Sequence, residues 1–310
     1  MGVERVPDRT PGMSRAREVA AARPMATAGP SGRRFGRGWL FVGFSQVFLI
    51  FWAILVLFPI LWMVMTAFKT DPEIFFSPWQ LPAALQWDNF ARAWSQASIG
   101  RYFLNSVIIV TGSVALTLLL SSMAAYVLAR YDFPGNRIIY YGFLVGLMFP
   151  IFLALVPLFF VVKDLNLLGT YHGLILVYTA YSLPFSIFFL TSFFRSLPNE
   201  IAEAAIVDGA SPYTVFFRVM LPMARSGIIS IGIFNVLGQW NQFILPLVLN
   251  PSEDHYVLSQ GLAFLAINQG YQNDWSALFA GLSIAMVPVL VVYILFQRRL
   301  EQGLTAGAIK

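Results

Sequence analysis

Two groups of residues in this 310-residue chain place polar chemistry at a meaningful spacing. The first lies inside an otherwise apolar run and comprises Asn235, Gln239, Trp240, Asn241 and Gln242. Asn235, Gln239 and Gln242 are four and three residues apart, which puts them on one face of a helix. Carboxamides donate and accept hydrogen bonds, so they suit a neutral, hydroxyl-rich ligand without demanding charge. Trp240 offers a flat apolar face for stacking. The same amides would serve for hydrogen bonds between membrane helices of neighbouring subunits, and both readings stay open. The second group is a polar segment between two apolar runs: Glu200, Glu203, Ala204, Ala205, Asp208, Gly209, Ala210, Leu221 and Pro222.

Other chemistries lack their residues. The chain has no cysteine, which removes disulfides, thiolate metal sites and cysteine nucleophiles together. His172 and His255 are far apart and fit no ligand pattern such as H-E-x-x-H; interfacial loop positions are expected for both. No G-x-x-x-x-G-K-[ST] phosphate loop is present, so no bound ATP, Mg or other cofactor is expected on this chain. No constellation of His, Asp or Glu suggests a membrane-embedded enzyme.

The elements that hold these groups follow from composition. The chain is 58% hydrophobic and 11% charged, with mean hydropathy +0.69, where soluble domains carry roughly 25% charge. Such a surface belongs in lipid. Six apolar runs, at about 39–68, 102–128, 138–162, 173–194, 223–249 and 275–296, are each near or above the ~20 residues that cross hydrocarbon as a helix. They lack the alternation of barrel strands. The expected fold is all-α, a polytopic membrane protein of six helices. Pro59, Pro150, Pro157, Pro184, Pro246 and Pro288 fall within the runs, as membrane helices tolerate, often with kinks.

Residues 1–38, rich in Arg, Ala, Pro and Gly, read as a disordered basic tail. A cleaved leader fits poorly, because the run at 39–68 exceeds a leader core and no small-residue cleavage site follows. With the N-terminus inside, only Lys69, Arg92, Arg101 and Lys163 of the 20 Lys and Arg residues fall outside. That asymmetry places both termini in the cytoplasm. It also accounts for the net charge of +5 without nucleic acid as a partner. Outer segments are then 69–101, 163–172 and 250–274, the last with a mildly apolar stretch at 256–267 that is too short to span.

The inner segment 195–222 carries the most information. Pro198 suits a helix start, and Asn199, Glu200 and Glu203 follow, the two acids favouring the positive end of the helix dipole. Ala202, Ala204 and Ala205 are strong helix formers of little bulk, which lets another protein approach closely. Gly209 permits a left-handed cap. Ser211 and Pro212 then open a second helix as N-cap and first residue, with Phe216, Phe217, Val219 and Met220 as its apolar side. Leu221 and Pro222 turn the chain into the fifth run.

The pattern Glu203-Ala204-Ala205-x-x-Asp208-Gly209-Ala210, with Leu221-Pro222 downstream, resembles the EAA loop of ABC importer permeases. Asn105-Ser106, Tyr126-Val-Leu-Ala-Arg130, Phe133-Pro134-Gly135, Leu183-Pro184-Phe185, Trp240-Asn241 and the ending Gly303-Leu-Thr-Ala-Gly307 are similar to the sugar-importer subfamily. The likeness runs from about residue 40 to the end and is to the second, shorter permease of maltose-type carbohydrate importers. It implies a non-catalytic subunit in the cell membrane that works by alternating access. It also implies a coupling helix at 195–222 docked on an ATPase. The implied partners are a second permease, two ATPase subunits that bind ATP and Mg, and an extracytoplasmic solute-binding protein. An ion-coupled secondary transporter is the rival class, but it places ionisable residues within spans, and these spans hold almost none. A non-sugar solute such as glycerol-phosphate is the rival within the family.

Overall fold

The structure, a computed structural model, describes residues 38–272 and 274–306 together with Gly2. The tail expected over 1–38 therefore lies outside the described residues, save Gly2 and Gly38. Contacts divide the chain into two units, Met1–Val56 and Leu57–Lys310. In the first unit the described part is the beginning of α1 (Gly38–Thr66). It is apolar and exposed at Phe44, Val47 and Phe51 among others, as a lipid-facing helix should be.

In the second unit α1 ends and two short helices follow, α2 (Asp71–Phe76) and α3 (Asp88–Ser95). The long helices α4 (Ile99–Arg130) and α7 (Tyr171–Ser196) form the centre, with α5 (Asn136–Met148) and α6 (Ile151–Asp164) between them in sequence. Then come α8 (Asn199–Val207), α9 (Pro212–Thr214), a π-helical turn at Val215–Met220 and α10 (Leu221–Met223). The chain closes with α11 (Arg225–Trp240), α12 (Ile244–Leu249), α13 (Leu258–Gln272) and α14 (Trp275–Ala306).

Tyr171 at the start of α7 donates to Asn105 near the start of α4, and Arg130 at the end of α4 donates to the Leu197 carbonyl just past α7. The two helices therefore run parallel. Thr179 on α7 donates to the Ser113 carbonyl on α4 at 3.3 Å, and Ser113, Thr117 and Ser121 on α4 and Ser186 and Thr191 on α7 are all fully buried. Small side chains let membrane helices approach closely where no hydrophobic effect drives them together.

Four of the six expected spans are continuous helices: α1, α4, α7 and α14. Two are corrected. The run at 138–162 is not one helix. It breaks at Phe149 and Pro150, and α5 and α6 diverge by 103°. Proline drives the residue before it out of the helical region, and Phe149 is extended at φ −77°, ψ 121°. The halves have 13 and 14 residues, about 20 Å each, so neither alone crosses a ~30 Å hydrocarbon core. The run at 223–249 is also interrupted. α11 ends at Trp240 and α12 resumes at Ile244. Pro246 has no N–H for the Gln242 carbonyl four residues back, and the Ser259 hydroxyl donates to that carbonyl instead, at 2.7 Å. Upstream of this run, the segment Pro212–Met223 joins α11 at a bend of 73°; with this pair and the α5–α6 pair each counted as one crossing, the described residues have up to six.

One end of the bundle gathers the three segments expected to lie outside. Asn105 donates to the carbonyls of Asp254 and Tyr256, both at 2.9 Å, and the Leu258 N–H donates to Ser106 at 2.8 Å. The paired polar residues at the start of α4 thus anchor the loop before α13. Arg92 pairs with Asp274 at 3.1 Å and Arg101 with Asp254 at 2.7 Å. Asp71 accepts from the Ser276 N–H at 2.8 Å, capping the start of α14. His255 meets the Gly169 carbonyl and packs on the Tyr171 ring. The stretch at 256–267 forms most of α13.

Candidate functional site

At the other end of the bundle the segment 195–222 folds as a helix, a glycine turn and a second helical segment. Pro198 sits at the N-cap of α8, one position earlier than a first-turn residue, and Glu200 is in the first turn. α8 ends in a Schellman arrangement. The Ala210 N–H donates to the Ala205 carbonyl at 3.0 Å and the Gly209 N–H to the Ile206 carbonyl at 2.9 Å. Gly209 has φ +83°, a conformation in which a side chain is strained. Ser211 caps the next helix, accepting from the Thr214 N–H at 3.3 Å, and Pro212 opens it.

This unit is bolted to the bundle on one side only. Val215, Phe216 and Met220 are buried with Tyr126, Leu190 and Phe194, and the Tyr126 and Phe216 rings lie 5.0 Å apart. The turn widens to a π-helix here, the Leu221 N–H reaching back to the Phe216 carbonyl. Pro222 supplies the cause, having no N–H and crowding the carbonyl before it. Ala202, Ala205 and Ala210 are half-buried and pack towards this core, which brings α8 close to its own chain. Glu200, Glu203, Ala204, Asp208 and Gly209 face solvent, Leu221 is half-buried and Pro222 is exposed. Val207 is 86% exposed and Tyr213 76%, apolar side chains at the tip that sequence reading did not single out. Arg130 holds the start of the unit: its Nη2 donates to the Leu197 carbonyl at 2.6 Å and its Nη1 to the Asn199 side chain.

The amide group divides. Asn235 and Gln239 are buried on one face of α11 and bond to α7 within the same chain. Asn235 donates to Ser186 and Gln239 to Ser182, both at 3.0 Å, and Gln239 Oε1 also accepts from Ser113 on α4. Gln242 continues this face. Trp240 does not: its indole N–H donates to the Ala285 carbonyl at 3.2 Å and its ring meets Phe103 edge-on at 5.5 Å. Asn241 is exposed and folds back on the Leu237 carbonyl at 2.8 Å. The stacking surface expected of Trp240 is therefore turned away from Asn235 and Gln239.

Asn235, Gln239 and Gln242 line a cavity of about 880 Å³ whose opposite wall is the elbow at Met148, Phe149 and Pro150. Non-helical backbone at membrane depth is tolerated where it lines a cavity or is buried in protein, which explains why the break sits here. Ser182 and Tyr178 also line the cavity. The Tyr178 hydroxyl is buried and has no hydrogen-bond partner among the described residues. Ser182, directly before the Leu183-Pro184-Phe185 motif, was legible as a small polar residue in a span; the elbow was visible only as a lone proline.

Comparison with known proteins agrees with this architecture. Residues 117–306 match the family of binding-protein-dependent transport system inner membrane components. A diacetylchitobiose uptake system permease, NgcG of Streptomyces coelicolor, is 52% identical over 87% of this chain and 89% of its own length. An arabinooligosaccharides transport system permease, AraQ of Halalkalibacterium halodurans, is 35% identical over 88% of this chain and 96% of its own length. A solved bacterial ABC transporter involved in import of the acidic polysaccharide alginate has a chain of the same fold. Its TM-score is 0.75 at 20% identity, over 85% of this chain and 98% of that one. With the helix–turn–helix of residues 195–222 inside the matched span, the chain belongs to the family of inner-membrane components of binding-protein-dependent transport systems, as a multi-pass permease of the ABC importer kind.

Proposed function

We propose that this permease carries a small carbohydrate into the cell, with an N,N′-diacetylated disaccharide as the first solute to test, since the 52% identical relative is named for diacetylchitobiose uptake. Both termini are cytoplasmic in this reading. A second permease completes the path, an extracytoplasmic solute-binding protein delivers the solute, and two ATPase subunits bind ATP and Mg and supply the energy. This chain itself holds no cofactor.

The observation that carries the reading is the one-sided attachment of α8 and its glycine turn. Glu200, Glu203, Val207 and Tyr213 are left free for an ATPase groove, while Phe216 and Arg130 tie the same unit to α4 and α7. Closure of the ATPases on ATP moves the unit as a rigid body. α7 carries Ser182 and Ser186, so its tilt repositions Gln239 and Asn235 at the cavity. Carboxamides, serine and tyrosine suit a neutral polyol. The test is uptake of labelled diacetylchitobiose by the reconstituted complex. Uptake that requires ATP and stops with a hydrolysis-dead ATPase supports the reading; uptake that persists with the dead ATPase overturns it.

A further inference from the structure

A second cleft, of about 970 Å³, opens between the end of α4, the start of α5 and the end of α7. Its polar lining includes Arg137, Arg195, Tyr140, Tyr141 and Asp132. Arg195 lies over the Tyr140 ring at 5.3 Å. Neither Arg137 nor Arg195 forms an ion pair among the described residues. Gly135, at φ +92°, caps α5 so that the positive end of this 13-residue helix opens into the same space. Two unneutralised guanidiniums and a helix start favour an anion, and Asp132 opposes one on the rim.

A second observation concerns what lies beside the cleft. Ile138, Tyr141 and Val145 recur at helical spacing along α5 and are 78%, 60% and 65% exposed. They make an apolar stripe that starts at the cleft and runs along the α5 half of the broken span. A polar pocket joined to an apolar track has the shape of an amphiphile.

We infer that this cleft binds a phospholipid, its phosphate against Arg137 and Arg195 and an acyl chain along the α5 stripe. Basic pockets at the ends of membrane helices recognise lipid headgroups in this way. Bidentate geometry suits arginine to phosphate. Tyr140 fixes the Arg195 plane. An occupied cleft would brace the end of α4 beside Arg130, and so the base of α8. The site needs only that the chain sits in a membrane, and it does not rest on the orientation or the transport role proposed above.

The experiment is lipid retention by the assembled transporter in detergent, read by native mass spectrometry after titration with phosphatidylglycerol. Detergent has no sidedness, so failure here leaves the proposed orientation and transport role untouched. The double variant Arg137→Gln, Arg195→Gln should bind about thirtyfold more weakly, from the worth of two interfacial arginines. The corresponding Lys variants should recover part of the affinity, and Asp132→Asn should tighten it. Diacylglycerol, which has the tails without the phosphate, should not bind. Equal retention by wild type and the Gln variant would overturn the site. Competition by soluble glycerol phosphate at a concentration matching the lipid would overturn the lipid assignment.

Discussion

The guanidinium of Arg130, the last residue of α4, donates to the backbone carbonyl of Leu197 at 2.6 Å, across the gap between two parallel helices. A second arm meets the Asn199 side chain, so one residue fixes both the end of α7 and the start of α8. A hydrogen bond from a charged group is worth about 1.5–3 kcal/mol. Replacing Arg130 with Ala should leave the bundle folded but loosen α8. The expected outcome is a large drop in solute-stimulated ATPase activity, with permease and ATPase still co-purifying or only partly separated. Lys should restore less than half, since it reaches one acceptor as a point charge rather than two as a fork. Unchanged coupling in Arg130→Ala would show that the clamp is incidental.

Gly209 offers a cleaner perturbation of the same unit. A Cβ built on it meets nothing within 4 Å, so the cost of a side chain is backbone strain alone. At φ +83° that is at least about 1–2 kcal/mol for Val, and less for Asn, which visits this region more readily. Gly209→Val should open the Schellman turn and impair assembly with the ATPase, whereas Gly209→Asn should be close to wild type. Glu203→Lys leaves the turn intact and reverses an exposed charge, so it should weaken docking without lowering thermal stability. Normal ATPase stimulation in both Gly209→Val and Glu203→Lys would count against the docking role of α8.

The contrast between this unit and the spans shows where sequence is informative. Pro198, Gly209, Ser211 and Pro212 each act through local backbone chemistry, and each sits within one residue of its expected place. Apolar runs, by contrast, report only that a segment is buried in lipid or protein. Pro150 and Pro157 look alike in sequence, yet one breaks its helix by 103° and the other lies inside α6. The difference is tertiary: the break at Pro150 faces a cavity with polar residues across it, where freed backbone groups are tolerated. The orientation of the Trp240 indole is not legible in the sequence for a similar reason, because the carbonyl its N–H meets is supplied by Ala285, 45 residues away.

At the other end of the molecule Asp274 gives a pH prediction. Partial burial raises its pKa, but hydrogen bonds from Arg92 and from the Ala277 N–H lower it further, and the net shift is downward from 3.8. A carboxylate depressed in the folded state contributes stability that is complete above its unfolded pKa and is lost as pH falls through the folded value. Thermal stability of the detergent-solubilised complex should therefore be flat with respect to this pair from pH 5 to 8 and decline below about pH 4. Asp274→Asn should melt lower than wild type at pH 7, and the gap should close in acid. A gap that persists unchanged at pH 3 would mean that the loss in the variant has another origin.

The cavity allows stability and transport to be separated, because two of its residues should respond in opposite ways. Gln239 bonds to Ser182 and Ser113, so Gln239→Leu forfeits interhelical hydrogen bonds worth about 0.6–2 kcal/mol each. It should lower both stability and uptake. Tyr178 is different, since its hydroxyl is buried without a partner among the described residues. An unpaired buried hydroxyl costs about 1–3 kcal/mol, and Tyr178→Phe removes it while keeping the ring. That variant should be as stable as wild type or more so. If the hydroxyl pairs with solute during passage, the apparent KM for uptake should rise about five- to tenfold, which corresponds to one lost hydrogen bond. Stability that rises with no change in KM or rate would show that the solute passes without contacting Tyr178, and the path would then lie along the wall formed by the second permease.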